Sequence, residues 1–93
     1  AAADGMEPDG LVIIRSVDGE AGRRAIETVA GRLAAEWRTS EVVTEGGIAR
    51  VDTVVRLRKD VDPAELIAEL EARWSDDIAA AQYIPLSTPS TDK

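Results

Sequence analysis

The chain has 93 residues, 44% of them apolar, which suits one domain with a modest core and excludes a wholly disordered chain. Eleven basic against 18 acidic residues give a net charge of −7, which repels phosphate backbones and anionic membrane surfaces and argues against nucleic-acid binding. Cysteine and histidine are absent, so disulfides, thiol nucleophiles, thiolate metal sites and histidine acid–base chemistry are excluded.

The aromatic residues are Trp37, Trp74 and Tyr83, so the core must be built from Val, Ile, Leu and Ala. Residues Ala1 to Gly10 carry turn chemistry in Ala-Ala-Ala-Asp-Gly and Glu-Pro-Asp-Gly and show no apolar period. They read as a flexible leader or linker, with Met6 inside it. Leu11 to Val17 is short, apolar and rich in β-branched residues, the pattern of a central, largely buried strand. Asp18-Gly19-Glu20 supplies a turn and a helix N-cap. The first helix is expected to run to about Trp37. Ala21, Ala25, Ile26, Val29, Ala30, Leu33 and Trp37 recur at three- and four-residue spacing.

Thr39 to Glu45 and Ile48 to Lys59 predict two strands joined at Gly46-Gly47. In the second of these, Ala49, Val51, Thr53, Val55 and Leu57 alternate with Ile48, Arg50, Asp52, Val54, Arg56 and Arg58. The first set is expected to face the helices, because three arginines and an aspartate cannot sit unpaired in a small core. Asp62, Pro63 and Glu65 form a capping box with proline at the first helical position, and Val61 and Leu66 are spaced for a hydrophobic staple. Leu66, Ile67, Leu70 and Trp74 form the buried stripe of this second helix, which Ser75-Asp76-Asp77 ends. Ile78 to Ile84 predicts an edge strand stopped by Pro85, and residues 87–93 form a polar tail.

The order βαββαβ is that of the split-βαβ plan. The expected class is α+β: a ferredoxin-like two-layer sandwich over residues 11–86. It has a four-stranded antiparallel sheet with both helices on one face. Val12, Ile14, Val29, Leu33, Val55, Leu57, Leu66 and Leu70 are the expected core.

Helices on one face leave the other open. Leu11, Ile13 and Arg15 then point outward with Ile48, Arg50, Asp52, Val54 and Arg56. Apolar residues framed by arginines suit an interface; the competing reading is a solvated face tied by Arg–Asp cross-strand pairs. Arg56, Arg58 and Lys59 make a basic run that suits an anionic ligand or lipid headgroups, or a solvated charge cluster, since Asp60 and Asp62 follow at once. RNA recognition on the sheet needs aromatic rings that the first and third strands lack. The Asp18–Gly22 turn suits an anion at a helix N-terminus, a hard cation, or simple capping. Asp76-Asp77, Asp60 and Asp62 offer paired carboxylates for acid–base work, but both pairs fall at helix boundaries. With no nucleophilic triad and no glycine-rich phosphate cradle, catalysis is not expected.

Two resemblances bear on function. The turn Asp18-x-x-x-Gly22 is similar to that of ACT domains, small βαββαβ regulatory modules that pair and often bind amino acids at the interface. This resemblance implies a ligand turn at Asp18, Gly19 and Gly22. The stretch from Leu11 to Ile84 resembles soluble C-terminal domains of bacterial multi-pass membrane proteins, the MgtC-like group among them. It does so in Ala-Ala-Glu-Trp-Arg (34 to 38), the hairpin and Val-Val-Arg-Leu-Arg-Lys-Asp-Val-Asp-Pro-Ala-Glu-Leu-Ile (54 to 67). It implies a cytoplasmic regulatory or assembly module that associates with a second copy or with a parent membrane protein. No cofactor, nucleic acid or direct membrane insertion is expected. Leu11, Ile13, Arg15, Ile48, Arg50, Val54 and Arg56 are the expected interface, and small-ligand sensing of the ACT type is the alternative.

Overall fold

The computed structural model describes residues 8–86; most of the expected leader and the whole expected tail lie outside the described residues. The elements are β1 (Gly10–Ser16), α1 (Gly19–Leu33), β2 (Ala34–Glu45), β3 (Ile48–Leu57), α2 (Pro63–Arg73) and β4 (Ile78–Pro85). The strands form one antiparallel sheet in the order β2-β3-β1-β4. Each β-α-β unit is split by a strand of the other: β3 lies between β1 and β2, and β1 lies between β3 and β4. This α+β arrangement is compatible with a ferredoxin-like sandwich.

Alternation decides which face of the sheet is covered. Val12, Ile14, Ala49, Val51 and Val55 are buried and meet Ala25, Ile26, Val29 and Ala30 of α1 and Leu66 and Leu70 of α2. Leu33 and Leu57, expected in the core, are half-buried at its margin. Both sit where β3 ends and α1 gives way to β2, and the covering layer thins there. Thr53 is also fully buried, and its hydroxyl has no hydrogen-bond partner.

The first helix ends earlier than its periodicity predicts. Ala34 is already extended (φ −109°, ψ 143°), and residues 34–37 belong to β2. Strand pairing overrides local helix propensity here, with Ala34 opposite Leu57 and Trp37 opposite Val55. The end of α1 is satisfied from the residue just after β3: Arg58 N–H donates to Leu33 C=O at 3.0 Å and Arg58 Nε to Arg32 C=O at 3.1 Å. Trp37 still leans back on the helix, because a Cβ at Gly31 would stand 3.8 Å from its ring. The apolar stripe is thus real in space but crosses from helix to strand.

At the other boundaries β1 begins at Gly10 and ends at Ser16, leaving Val17 exposed, and β3 ends at Leu57, before Lys59. Pairing also reaches into the expected leader. Asp9 N–H donates to Val55 C=O at 2.7 Å, and Leu57 N–H donates to the Asp9 carboxylate at 2.9 Å. The hairpin turn places Gly46 at φ 59° and Gly47 at φ 83°, which is why glycine occupies both positions.

Helix α2 starts as its sequence predicts. The Asp62 carboxylate accepts from Ala64 N–H at 3.1 Å, and Glu65 accepts from Asp62 N–H at 3.3 Å. Pro63 takes the first turn, where its missing N–H has no partner to lose. Glu69 ties the helices together by pairing with Arg32 of α1 and with Arg73 at 3.2 Å. Asp62→Ala should lower stability by about 0.5–2 kcal/mol through the lost cap. Urea unfolding checks this; an unchanged midpoint would mean that the box contributes nothing.

Candidate functional site

The face of the sheet that no described helix covers holds the expected interface residues together. The register places Val54 opposite Leu11 and Leu11 opposite Ile84, an apolar row across three strands. Arg38 stands opposite Val54 and closes the row at the β2 edge. The next row sets Ile13 between Asp52 and Gln82. The row after that runs Val43, Arg50, Arg15, Ala80. Leu11, Ile13 and Val54 are half-buried, while Ile48, near the hairpin turn, is 38% exposed.

Charge on this face is partly internal. Arg50 Nε bonds Asp52 Oδ1 at 3.2 Å along β3, and Arg56 Nε pairs with Glu36 of β2 at 3.5 Å. The expected Arg–Asp pair therefore runs along one strand and not across two. Arg15 and Arg50 stand directly opposite each other, a like-charge pairing that costs stability unless acid is near. Asp52 answers Arg50. Among the described residues Arg15 and Arg38 have no ion-pair partner.

The Asp18 turn is used structurally. Asp18 caps α1 by accepting from Ala21 N–H at 2.8 Å, and its carbonyl accepts from the Ser16 hydroxyl at 2.6 Å. Gly22 is buried against the sheet: a Cβ there would stand 2.6 Å from Ser16 Oγ and 2.9 Å from Val51 Cγ2. A Cβ at Gly19 would lie 3.1 Å from Val42. These glycines let α1 approach β1, β3 and the hairpin. The fold also brings Asp77 beside Asp18 and Glu20 on a shallow depression of about 230 Å³, a neighbourhood that sequence spacing does not indicate. Arg24 lies in it, paired with Glu20 at 3.4 Å. Among the described residues no group of three or more Asp or Glu is placed to hold a metal ion.

The basic run borders an open groove of about 560 Å³ at the end of the sheet, lined by Asp9, Arg56, Arg58, Lys59, Pro63 and Tyr83 among others. Two of its cations are engaged, Arg58 on the end of α1 and Arg56 with Glu36. The Tyr83 phenol has its pKa raised above the usual value, first by burial and then by the charge of Asp9. It packs over Gly10, where a Cβ would fall 2.3 Å from the ring. Sequence spacing had no means of joining Tyr83 to Asp9, which meet only because β4 pairs with β1.

Comparison of the chain with protein-family models, curated proteins and solved structures returned no match.

Proposed function

We propose that the chain is a ferredoxin-like association module, a non-catalytic regulatory or assembly domain of a larger bacterial protein, acting through the open face of its sheet. The strand order supports the fold. Read from the other edge it is β4-β1-β3-β2, with the two β-α-β units interleaved as in the split-βαβ plan. The apolar row Val54–Leu11–Ile84 carries the functional reading. It crosses the uncovered face beside Ile13, and Arg15, Arg38 and Arg56 stand at its margins. An apolar centre with a charged rim is the anatomy of a contact surface.

The partner is a second copy or the parent polypeptide, and an excess of acid elsewhere on the chain suits the free arginines of the rim. The assignment to a multi-pass membrane protein, and with it a cytosolic location, rests on the sequence resemblance. Among the described residues no helix is long and apolar enough to cross a membrane. Ligand sensing of the ACT type draws no support from Asp18, Gly19 and Gly22, which are engaged in capping and close packing. Acid–base work by paired carboxylates draws none from Asp62, which caps α2.

Sedimentation over a wide concentration range tests the proposal. Ile13→Glu should stay folded, since Ile13 lies outside the core, and should halve the mass of any self-assembly built on this face. If the variant sediments as the wild type does, the face does not join copies, which leaves a contact with the parent polypeptide or a solvated sheet.

A further inference from the structure

The two edges of the sheet differ in kind. Strand β2 breaks register between Ala34 and Glu36 and again between Thr39 and Glu41, and it carries Glu36, Arg38, Glu41 and Glu45. Bulges and charges of this sort keep an edge from pairing with another chain. Strand β4 reads Ile-Ala-Ala-Ala-Gln-Tyr-Ile-Pro and carries no charge. Its register shift falls near its start, where the pairing passes from Arg15 to Ser16 and skips Ala79. From Ala80 to Ile84 the edge is regular.

The pairing shows which backbone groups of β4 have no partner among the described residues. Leu86 N–H donates to Asp9 C=O at 2.9 Å, which makes Asp9 and Leu86 a hydrogen-bonded pair. Alternation along an antiparallel ladder then makes Leu11/Ile84 and Ile13/Gln82 hydrogen-bonded as well, with Val12/Tyr83 and Ile14/Ala81 of the other class. Ala81 and Tyr83 therefore direct N–H and C=O away from β1. Pro85 falls in the same class, and a proline, having no N–H to leave unpaired, fits the outer side of an edge strand.

We propose that β4 pairs antiparallel with β4 of a second copy about a two-fold axis at Gln82. The two four-stranded sheets then become one continuous sheet. In this register Ala81 of each copy exchanges hydrogen bonds with Tyr83 of the other, so every free N–H on the regular stretch finds an acceptor. Side-chain sizes match across the seam. Ala81 meets Tyr83 on the helix side, and Ala80 meets Ile84 on the open side. Gln82 meets itself in a non-hydrogen-bonded pair, where side chains stand closest, about 4.5–5.5 Å between Cβ atoms. A primary amide both donates and accepts, so it can answer its own copy.

Neighbouring registers are worse. Centring on Tyr83 would set two phenol rings against each other and put Pro85 where Ala81 needs a donor. Centring on Ala81 would pair Tyr83 with Ala79, at the register shift. The small-small-Gln-large-large order of residues 80–84 thus selects one two-fold arrangement. This inference rests on the association reading but not on the open face. Edge pairing is made by the outward N–H and C=O groups of β4 and face contact by side chains, with Ile84 common to both, so both can operate together.

The test uses the full chain, which has no cysteine of its own. Gln82 is exposed, so substitutions there should leave the fold intact by circular dichroism. Gln82→Cys should give a disulfide-linked dimer under mild oxidation, and Ala80→Cys, facing Ile84 of the other copy, should not. Gln82→Lys and Gln82→Glu should each lose the edge dimer in sedimentation, and an equimolar mixture of the two should restore it. Val54→Glu, on the open face but separated from β4 by β1, should leave the Gln82→Cys cross-link untouched, so a failure of the face and a failure of the edge read separately. The proposal is overturned if Gln82→Cys cross-links no faster than Ala80→Cys. It is equally overturned if the two charge variants keep the wild-type mass, or if the mixture does not reassociate.

Discussion

Leu70→Ala should cost about 2–5 kcal/mol of unfolding free energy, the range for emptying a fully buried leucine site. Leu70 has no exposed surface and is, with Leu66, one of two fully buried residues of α2. The helix is short, Pro63–Arg73, and helices of that length are marginal unless a face is packed. The capping box fixes where α2 starts, but Leu66 and Leu70 hold it on the sheet. Domains of this kind are stable by about 5–15 kcal/mol in total, so the loss is a large fraction of the whole. Urea unfolding at an unchanged slope measures it. A loss well under about 1 kcal/mol would show that α2 does not pack as described.

Gly22→Ala should destabilise the chain by about 1–3 kcal/mol even though alanine is the better helix former by about 1 kcal/mol. The added methyl would fall 2.6 Å from Ser16 Oγ and 2.9 Å from Val51 Cγ2. Both neighbours are fully buried, and the Ser16 hydroxyl is already committed to Asp18 C=O at 2.6 Å. Neither can move aside without disturbing the strand end or the cap, so the first turn of α1 must lift from the sheet. Denaturant unfolding of the variant checks the sign. A gain in stability would mean that the gap between α1 and the sheet is slack and that propensity wins.

The open face and the β4 edge make the same point from opposite directions. The alternation in β3 identifies Arg50, Asp52, Val54 and Arg56 as outward residues, because charge cannot be buried unpaired. The structure seats all four on the uncovered face as expected. The sequence also marks Ile78 to Ile84 as an edge strand. It does not say that the opposite edge is doubly bulged, nor which amides of β4 look outward. Those follow from register, and register depends on partners far away in the chain.

Part of this structure is local in origin. The element order, the Gly46-Gly47 turn, the Asp62 capping box and the two-residue alternation of β3 each depend on neighbours within a few residues. Positive φ, cap chemistry and side-chain periodicity are expressed at that range. Tertiary structure decides the rest. It ends α1 at Leu33 instead of Trp37, because pairing with β3 outweighs the helix propensity of Ala34-Ala35-Glu36. It turns Arg58 from a candidate anion ligand into the cap of α1, because β3 ends beside that helix. It makes Gly22 a packing residue, because Ser16 and Val51 come within reach only once the sheet has formed. Each of these outcomes is a competition between a local preference and a partner distant in the chain, and the distant partner wins where its hydrogen bonds and buried contacts outweigh the few tenths to one kcal/mol that local propensity supplies.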